Sequence, residues 1–326
     1  MNLNPALTGV FRGDQRISVN YRNQWRNVPV DYLQLTGAYD LNLWQDNERP
    51  GPLGVGLIFN YDQAGDSKLH LAQLGVAASY TVQVARNHGI SFGGMLSGAE
   101  RGFNLSELTF DEQFLVDKGF DETAPINESF DETSYVFGDA ALGVNYHVEA
   151  SEKRTTIDVG VGAFHLFRPM NNFYNSADHR LPVRLSFSAD GAIEFMGPVD
   201  LLLRGMFQKQ GEYAELVAGA GARIHLNETP TRELAIALGV MTRQNDTGNH
   251  FDLTTEPDFS GKWRQDALIP FIGVEWQRWR ASFSYDINTS KFRRATNRRG
   301  GPELAMAYII TRVPPLEYCP TCPTTL

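Results

Sequence analysis

Seven histidines are the residues best suited to acid–base or metal chemistry in this chain: His70, His88, His147, His165, His179, His225 and His250. They are scattered. None forms an H-E-x-x-H pair, and the spacing offers no way to bring a serine to a histidine. Each therefore reads as a structural or loop histidine. Cys319 and Cys322 stand in a terminal Cys-Pro-Thr-Cys. A C-x-x-C pair serves as a redox motif, half a zinc site or a small disulfide. No histidine lies in the tail to complete a four-ligand zinc site, so it reads as a Pro-rich tail with an incidental or oxidised pair. Ala218-Gly219-Ala220-Gly221-Ala222 contains a G-x-G. It lies inside an alternating segment with no helix after it, which points to close packing rather than a phosphate loop. The chain carries no constellation for bond chemistry and does not read as an enzyme.

The elements that must position these residues are strands. In 69–84, Leu74, Val76, Ala78, Tyr80, Val82 and Val84 fall on one face, and Gln73, Gly75, Ala77, Ser79, Thr81 and Gln83 on the other. The same period of two recurs in 139–149, 233–243 and 281–288. No window holds the roughly 18–20 apolar residues of a membrane helix. Several alternating runs last about ten residues or more, the length at which a tilted strand crosses a bilayer. A soluble sandwich has shorter strands, of about five or six residues. The second face is rich in Gly, Ala, Ser and acids, as a crowded polar lumen requires.

About fourteen strands are predicted, near 16–25, 33–43, 53–61, 69–84, 89–103, 135–149, 155–166, 180–195, 199–208, 214–226, 232–243, 267–277, 279–288 and 302–312. The fold class is thus all-β, a transmembrane antiparallel barrel. The long connections, 104–134, 167–179, 244–266 and 289–301, all follow odd-numbered strands and so fall at one end. Barrels of this kind have long extracellular loops and short periplasmic turns. The segment 44–52 is a mild exception at the short-turn end.

Two of the long loops are oppositely charged. Residues 104–134 repeat Phe-Asp-Glu at Phe110-Asp111-Glu112, Phe120-Asp121-Glu122 and Phe130-Asp131-Glu132, with Lys118 the only base. Clustered carboxylates suit calcium, but the spacing is not that of an EF-hand, and a solvated outer loop packed by its phenylalanines is the competing reading. Residues 291–299 carry Lys291, Arg293, Arg294, Arg298 and Arg299. They face anionic headgroups, an acidic partner, or the acidic loop across the barrel mouth; the last reading is preferred. The formal net charge of −9 argues against nucleic-acid binding.

The order of motifs resembles the PorP/SprF family, membrane proteins of the type IX secretion system. Asn4-Pro5-Ala6 with Gly9 matches the family's NPA-x-x-G opening, and Arg22, Gln24 and Trp25 its R-x-Q-W-like first strand. Phe164-His165-Leu166-Phe167-Arg168-Pro169 resembles the H-L-x-x-P element. Pro182-Val183-Arg184 and Gln208-Lys209-Gln210 resemble the following strand pair. Ser284-Tyr285-Asp286 and Gly300-Gly301-Pro302-Glu303-Leu304 resemble the terminal elements, with Phe283 and Pro302 as departures. The resemblance covers nearly all of 4–312. It implies a division into an NPA segment at 1–15 on the periplasmic side or plugging the lumen, a barrel over 16–312, and a Pro/Cys-containing tail at 313–326.

No signal peptide follows Met1. Either the protein is cytosolic or the numbering begins inside a processed chain. The resemblance favours the second, and with it the bacterial outer membrane after removal of a signal peptide outside this numbering. The family further implies a role in protein secretion or gliding motility with no cofactor. Its partners would be a large secreted adhesin with a type IX C-terminal sorting domain, or periplasmic and lipoprotein components of the secretion machinery, besides outer-membrane lipids. A pore or hydrophobic-solute transporter is the alternative. The loop residues open to a partner are Phe110, Asp111, Glu112, Phe120, Asp121, Phe130, Asp131, Arg293, Arg294, Arg298 and Arg299.

Overall fold

Alternation of apolar and small or polar residues leaves each strand with one face for lipid and one for an interior. The only arrangement that also pairs every backbone group in lipid is a closed sheet. The computed structural model describes residues 1–24, 32–43, 53–115, 119–121, 123–124, 132–150, 154–173, 179–227, 233–246, 263–294 and 296–311. Its fourteen wall strands are β1 (Gln15–Gln24), β2 (Tyr32–Leu43), β3 (Leu53–Ala64), β4 (Leu69–Ala85), β5 (His88–Gly102), β6 (Ser134–Glu149) and β7 (Thr156–Phe164), followed by β8 (Arg184–Met196), β9 (Val199–Gln210), β10 (Tyr213–Asn227), β11 (Leu234–Asp246), β12 (Arg264–Trp276), β13 (Trp279–Asn288) and β14 (Arg299–Ile310). Each pairs antiparallel with its chain neighbours, and β1 closes the barrel on β14, with Ile17 opposite Tyr308 and Arg22 opposite Glu303. The fourteen-strand, all-β expectation is borne out. No described helix is long and apolar enough to cross a membrane.

The two faces separate sharply. On β4, Leu74 is 60% exposed on the outer face, and Ala77 is 1% exposed on the inner face. Aromatic side chains mark both rims, as interfacial girdles do. Trp279 and Tyr308 pack at 4.5 Å at the short-turn end. Phe187, Phe207 and Trp263 form a chain of rings at the long-loop end.

Some boundaries differ from expectation for steric and hydrogen-bonding reasons. β14 starts at Arg299 rather than 302, because Gly300 and Gly301 run on in the strand. A Cβ on Gly300 would overlap the Asp286 carbonyl, and one on Gly301 the Asn23 carbonyl, so the wall comes this close only at glycine. Pro270 lies within β12, where a proline removes a ladder donor. The β12–β13 ladder skips Ile269 and Pro270 but keeps its register, Leu268 opposite Ile287 and Phe271 opposite Ser284.

The lipid-facing assignment is testable. Val76→Arg puts a charge on the outer face of β4. We expect it to lower the folding free energy in vesicles by about 2–4 kcal/mol if it lies near mid-membrane. The lumen-facing Gln73→Arg is expected to cost much less. Equilibrium denaturant titration of both variants checks this.

Candidate functional site

The lumen begins with a stretch of wall dominated by glycine and serine. Asn42, Gly54, Ser79, Gly93, Gly143, Gly162 and Ser186 lie opposite one another in register, a single row crossing β2 to β8. The N-terminal segment occupies the space this row leaves. Its turn, Pro5–Leu7, is capped by Asn4, whose Oδ1 accepts the Ala6 N–H at 2.9 Å. Asn4 Nδ2 donates to the Val144 carbonyl at 2.8 Å, tying the cap to β6. Asn4, Ala6 and Thr8 are fully buried.

The fit rests on missing Cβ atoms. A Cβ on Gly93 would overlap Pro5 and Ala6, one on Gly143 the Asn4 amide, and one on Gly162 would stand 2.7 Å from the Leu3 carbonyl. Thr8 Oγ1 donates back to the Pro5 carbonyl at 2.7 Å, and Ser79 Oγ donates to the Thr8 carbonyl at 2.5 Å. Gly9 then turns the chain at φ +71°, a conformation glycine adopts without strain. Its N–H donates to Asp40 at 2.8 Å, and the Arg16 guanidinium grips both oxygens of that carboxylate at 3.0 and 2.7 Å. On the long-loop side of that row, Met1 packs on an interior apolar cluster of Ile58, Ala77, Met95, Ala141 and Phe164. The motif residues Asn4, Pro5, Ala6 and Gly9 thus form one unit inside the barrel.

A second group of motif residues meets at the closing seam, near the long-loop end. Asp286 on β13 accepts from Arg22 at 2.7 Å and Gln24 at 2.8 Å, both on β1. Arg243 on β11 reaches the same oxygen at 2.8 Å and donates to Asp266 at 2.8 Å. Asn20 donates to Glu303 at 2.7 Å. Sequence spacing gives no hint of Arg243, Asp266 or Asn20. Tyr285 lies beside Asp286 but points to the outer face, opposite Pro302. Trp25 lies outside the described residues.

His165 follows β7 with φ +59°, and its Nδ1 sits 2.6 Å from the buried Asp139 carboxylate. Pro169 is buried in the loop beyond. A further cluster, unforeseen in the sequence, lies at the short-turn end. Buried Asp200 there accepts from Arg223 at 2.7 Å and Arg154 at 3.1 Å, and lies 2.7 Å from His225 Nε2. Every one of these charges is inward-facing and matched, which is what makes them tolerable in a membrane protein.

The loop residues do not converge. Asp111 and Glu112 are exposed on a short turn before a two-residue ribbon, Phe114–Leu115 paired with Gly119–Phe120. Phe110 leads into that turn and Phe120 packs against Phe114 at 5.2 Å. Asp121 accepts from Thr123 Oγ1 at 2.6 Å and from its N–H at 3.0 Å. These bonds hold its carboxyl below the usual carboxylate range. Arg293, Arg294, Arg298 and Arg299 are exposed. Among the described residues no ion pair joins them to Asp111, Glu112 or Asp121, so the preferred pairing across the mouth is not seen there. The two loops follow β5 and β13, on different sectors of the wall. Phe130 and Asp131 lie outside the described residues, as do Cys319 and Cys322. Among the described residues no three His, Cys, Asp or Glu side chains converge as metal ligands do.

The family model described as type IX secretion system membrane protein PorP/SprF matches residues 1–308. No curated protein matches the sequence. Among solved structures, a FadL homologue from Pseudomonas aeruginosa is 11% identical, covering 94% of this chain and 92% of that one, with a TM-score of 0.50. A deletion mutant of the TodX monoaromatic hydrocarbon channel is 10% identical over the same shares, also at 0.50. CdiB from Escherichia coli is 8% identical at a TM-score of 0.49; the match covers 90% of this chain and 63% of CdiB. At such identities the first two likenesses speak for the barrel fold alone.

Two substitutions test the lumen. Gly143→Val places side-chain atoms where the Asn4 amide sits. We expect it to displace the N-terminal segment and raise single-channel conductance in planar bilayers. Gly98→Ala, with nothing within 4 Å of its added Cβ, is expected to leave conductance unchanged. Asp286→Ala strands two arginines at the seam. Loss of one partner from a buried ion pair costs about 3–5 kcal/mol, and we expect a destabilisation of that order in denaturant titration.

Proposed function

The chain belongs to the PorP/SprF family of type IX secretion membrane proteins, and on that premise we propose that it binds or anchors a secreted surface protein at the outer face of the membrane. The fold is that of an outer-membrane barrel. The observation that carries the anchoring reading is the packed N-terminal segment, which takes up space on the inner wall of β3 to β7 and leaves the outer loops as the accessible working surface. Binding there needs no bond chemistry. The partner is an adhesin-like protein with a type IX C-terminal sorting domain. A role beside the periplasmic components of the secretion or gliding machinery is the other version of the same reading.

The outer surface offers suitable contacts. Phe114 and Phe120 are half exposed beside the carboxylates of Asp111 and Glu112. Clustered aromatic side chains in an exposed patch favour protein contact, and flanking charge sets its orientation. The exposed arginines after β13 supply a second site of opposite sign. A solute pore is the weaker reading, because the same packed segment narrows the lumen it would use.

The test is a mild-detergent purification of the tagged protein from outer membranes, with mass spectrometry of what accompanies it. We expect a large secreted protein in stoichiometric amount, reduced at least tenfold by the double change Phe114→Ser and Phe120→Ser. Ring components of the secretion machinery in its place select the second version. A barrel that purifies alone defeats both.

A further inference from the structure

β6 rises past its neighbour. Its lower half, from Leu142 to Glu149, is laddered to β7. Among the described residues its upper half, from Ser134 to Ala141, is laddered only to β5, because β7 stops at Phe164 and β8 begins at the same level, Arg184 opposite Phe164. The wall therefore has a notch, and one side of upper β6 is an edge.

Backbone polarity fixes which residues form that edge. The Ala140 carbonyl accepts the Leu166 N–H at 3.1 Å, on the side away from β5. N–H and C=O groups alternate sides along an antiparallel strand, so Ser134, Val136 and Gly138 direct theirs the same way. No described residue pairs with them there. All three are exposed, Val136 at 79%. The chain makes one bond to this edge, then turns off it where His165 and Arg168 adopt φ of +59° and +47°. Beyond Phe167 the chain lies on the inner face, where Asn171 Oδ1 accepts from Arg101 at 2.5 Å and Tyr135 at 3.1 Å.

The outer face beside the edge is hollow. Small Ala78, Gly94 and Ala140, with Val76, Leu96, Leu142 and Phe167 around them, line an apolar groove of about 640 Å³. Gly98 and Gly138 continue it upward in one register row. A lipid tail fills such a groove but offers no donors or acceptors to the edge. An extended polypeptide offers both, at the spacing of the strand.

We propose that the upper edge of β6 is a β-pairing site for an extended segment of a partner polypeptide with alternating apolar side chains. The segment continues the β6–β7 ladder upward from Ala140, and its apolar side chains lie along the outer groove. This deepens the anchoring reading and rests on it for the identity of the partner, but the edge is testable without that partner.

The experiment measures residue-resolved amide exchange of the full chain in detergent, with and without a synthetic decapeptide alternating Val and Thr. We expect exchange at Val136 and Gly138 to slow at least tenfold with peptide. Tyr135, Phe137 and Asp139, already facing β5, should not change. Gly138→Pro removes the donor and should abolish the protection; Gly138→Ala should keep it. Unchanged exchange at saturating peptide overturns the proposal, as does protection that Gly138→Pro leaves intact. Heat-modifiable migration in gels verifies that each variant is a folded barrel. The two readings fail separately. Peptide protection with a barrel that purifies alone removes the anchoring role and keeps the edge. A co-purifying partner with no protection removes the edge and keeps the role.

Discussion

The lumen depends on the absence of a few methyl groups. Gly93, Gly143 and Gly162 occur on three consecutive strands in one register row, and each leaves a Cβ-sized gap that the N-terminal segment fills, with backbone at Gly93 and Gly162 and the Asn4 amide at Gly143. Close packing leaves little slack for even one added carbon. The consequences extend outward from this contact. Asn4 reaches the Val144 carbonyl only because Gly143 admits it, the Pro5–Leu7 turn is fixed by Asn4, and Gly9 is thereby delivered to Asp40. An unpaired amide buried in such a place would cost several kcal/mol. Here every polar group of the Asn4 side chain has a partner.

The charged clusters solve a different problem. A barrel interior with few apolar residues must be held by polar contacts, and isolated buried charges are costly. The chain sets two of its buried carboxylates, Asp286 and Asp200, between arginines from separate elements. Asp286 links β1, β11 and β13; Asp200 links β9, β10 and the β6–β7 connection. The Asp286 cluster works as a cross-brace over strands that share no ladder, and the Asp200 cluster ties a connection to a laddered pair. The first also spans the place where Pro270 interrupts the β12–β13 ladder.

Much of the fold was legible because lipid exposure acts on each strand separately. Leu74, Val76, Tyr80 and Val82 must all be apolar whatever β4 pairs with, so period two revealed β4 almost to the residue. The loops were legible because the alternation stops in them. The family motifs were visible as words, but their meaning was not. Arg22 and Asp286 are 264 positions apart, and nothing local joins them. Gly93 and Gly143 look like any lumen glycine until the register aligns them. A stronger signal lay unused: glycine at inward positions of successive strands marks a track for backbone. The acidic and basic loops misled for a related reason, since opposite charge implies attraction but says nothing of which sector each loop occupies.

The closing seam joins the first strand to the last, while the segment it encloses precedes both. That arrangement sets an order of events. The N-terminal segment exists before any wall does, and its seat needs β3 to β7. The β1–β14 ladder, with Arg22 meeting Asp286, needs the entire chain. Contacts so distant in sequence form slowly. The seat on β3 to β7 therefore becomes available before the seam does, and the wall can close with the segment already in place.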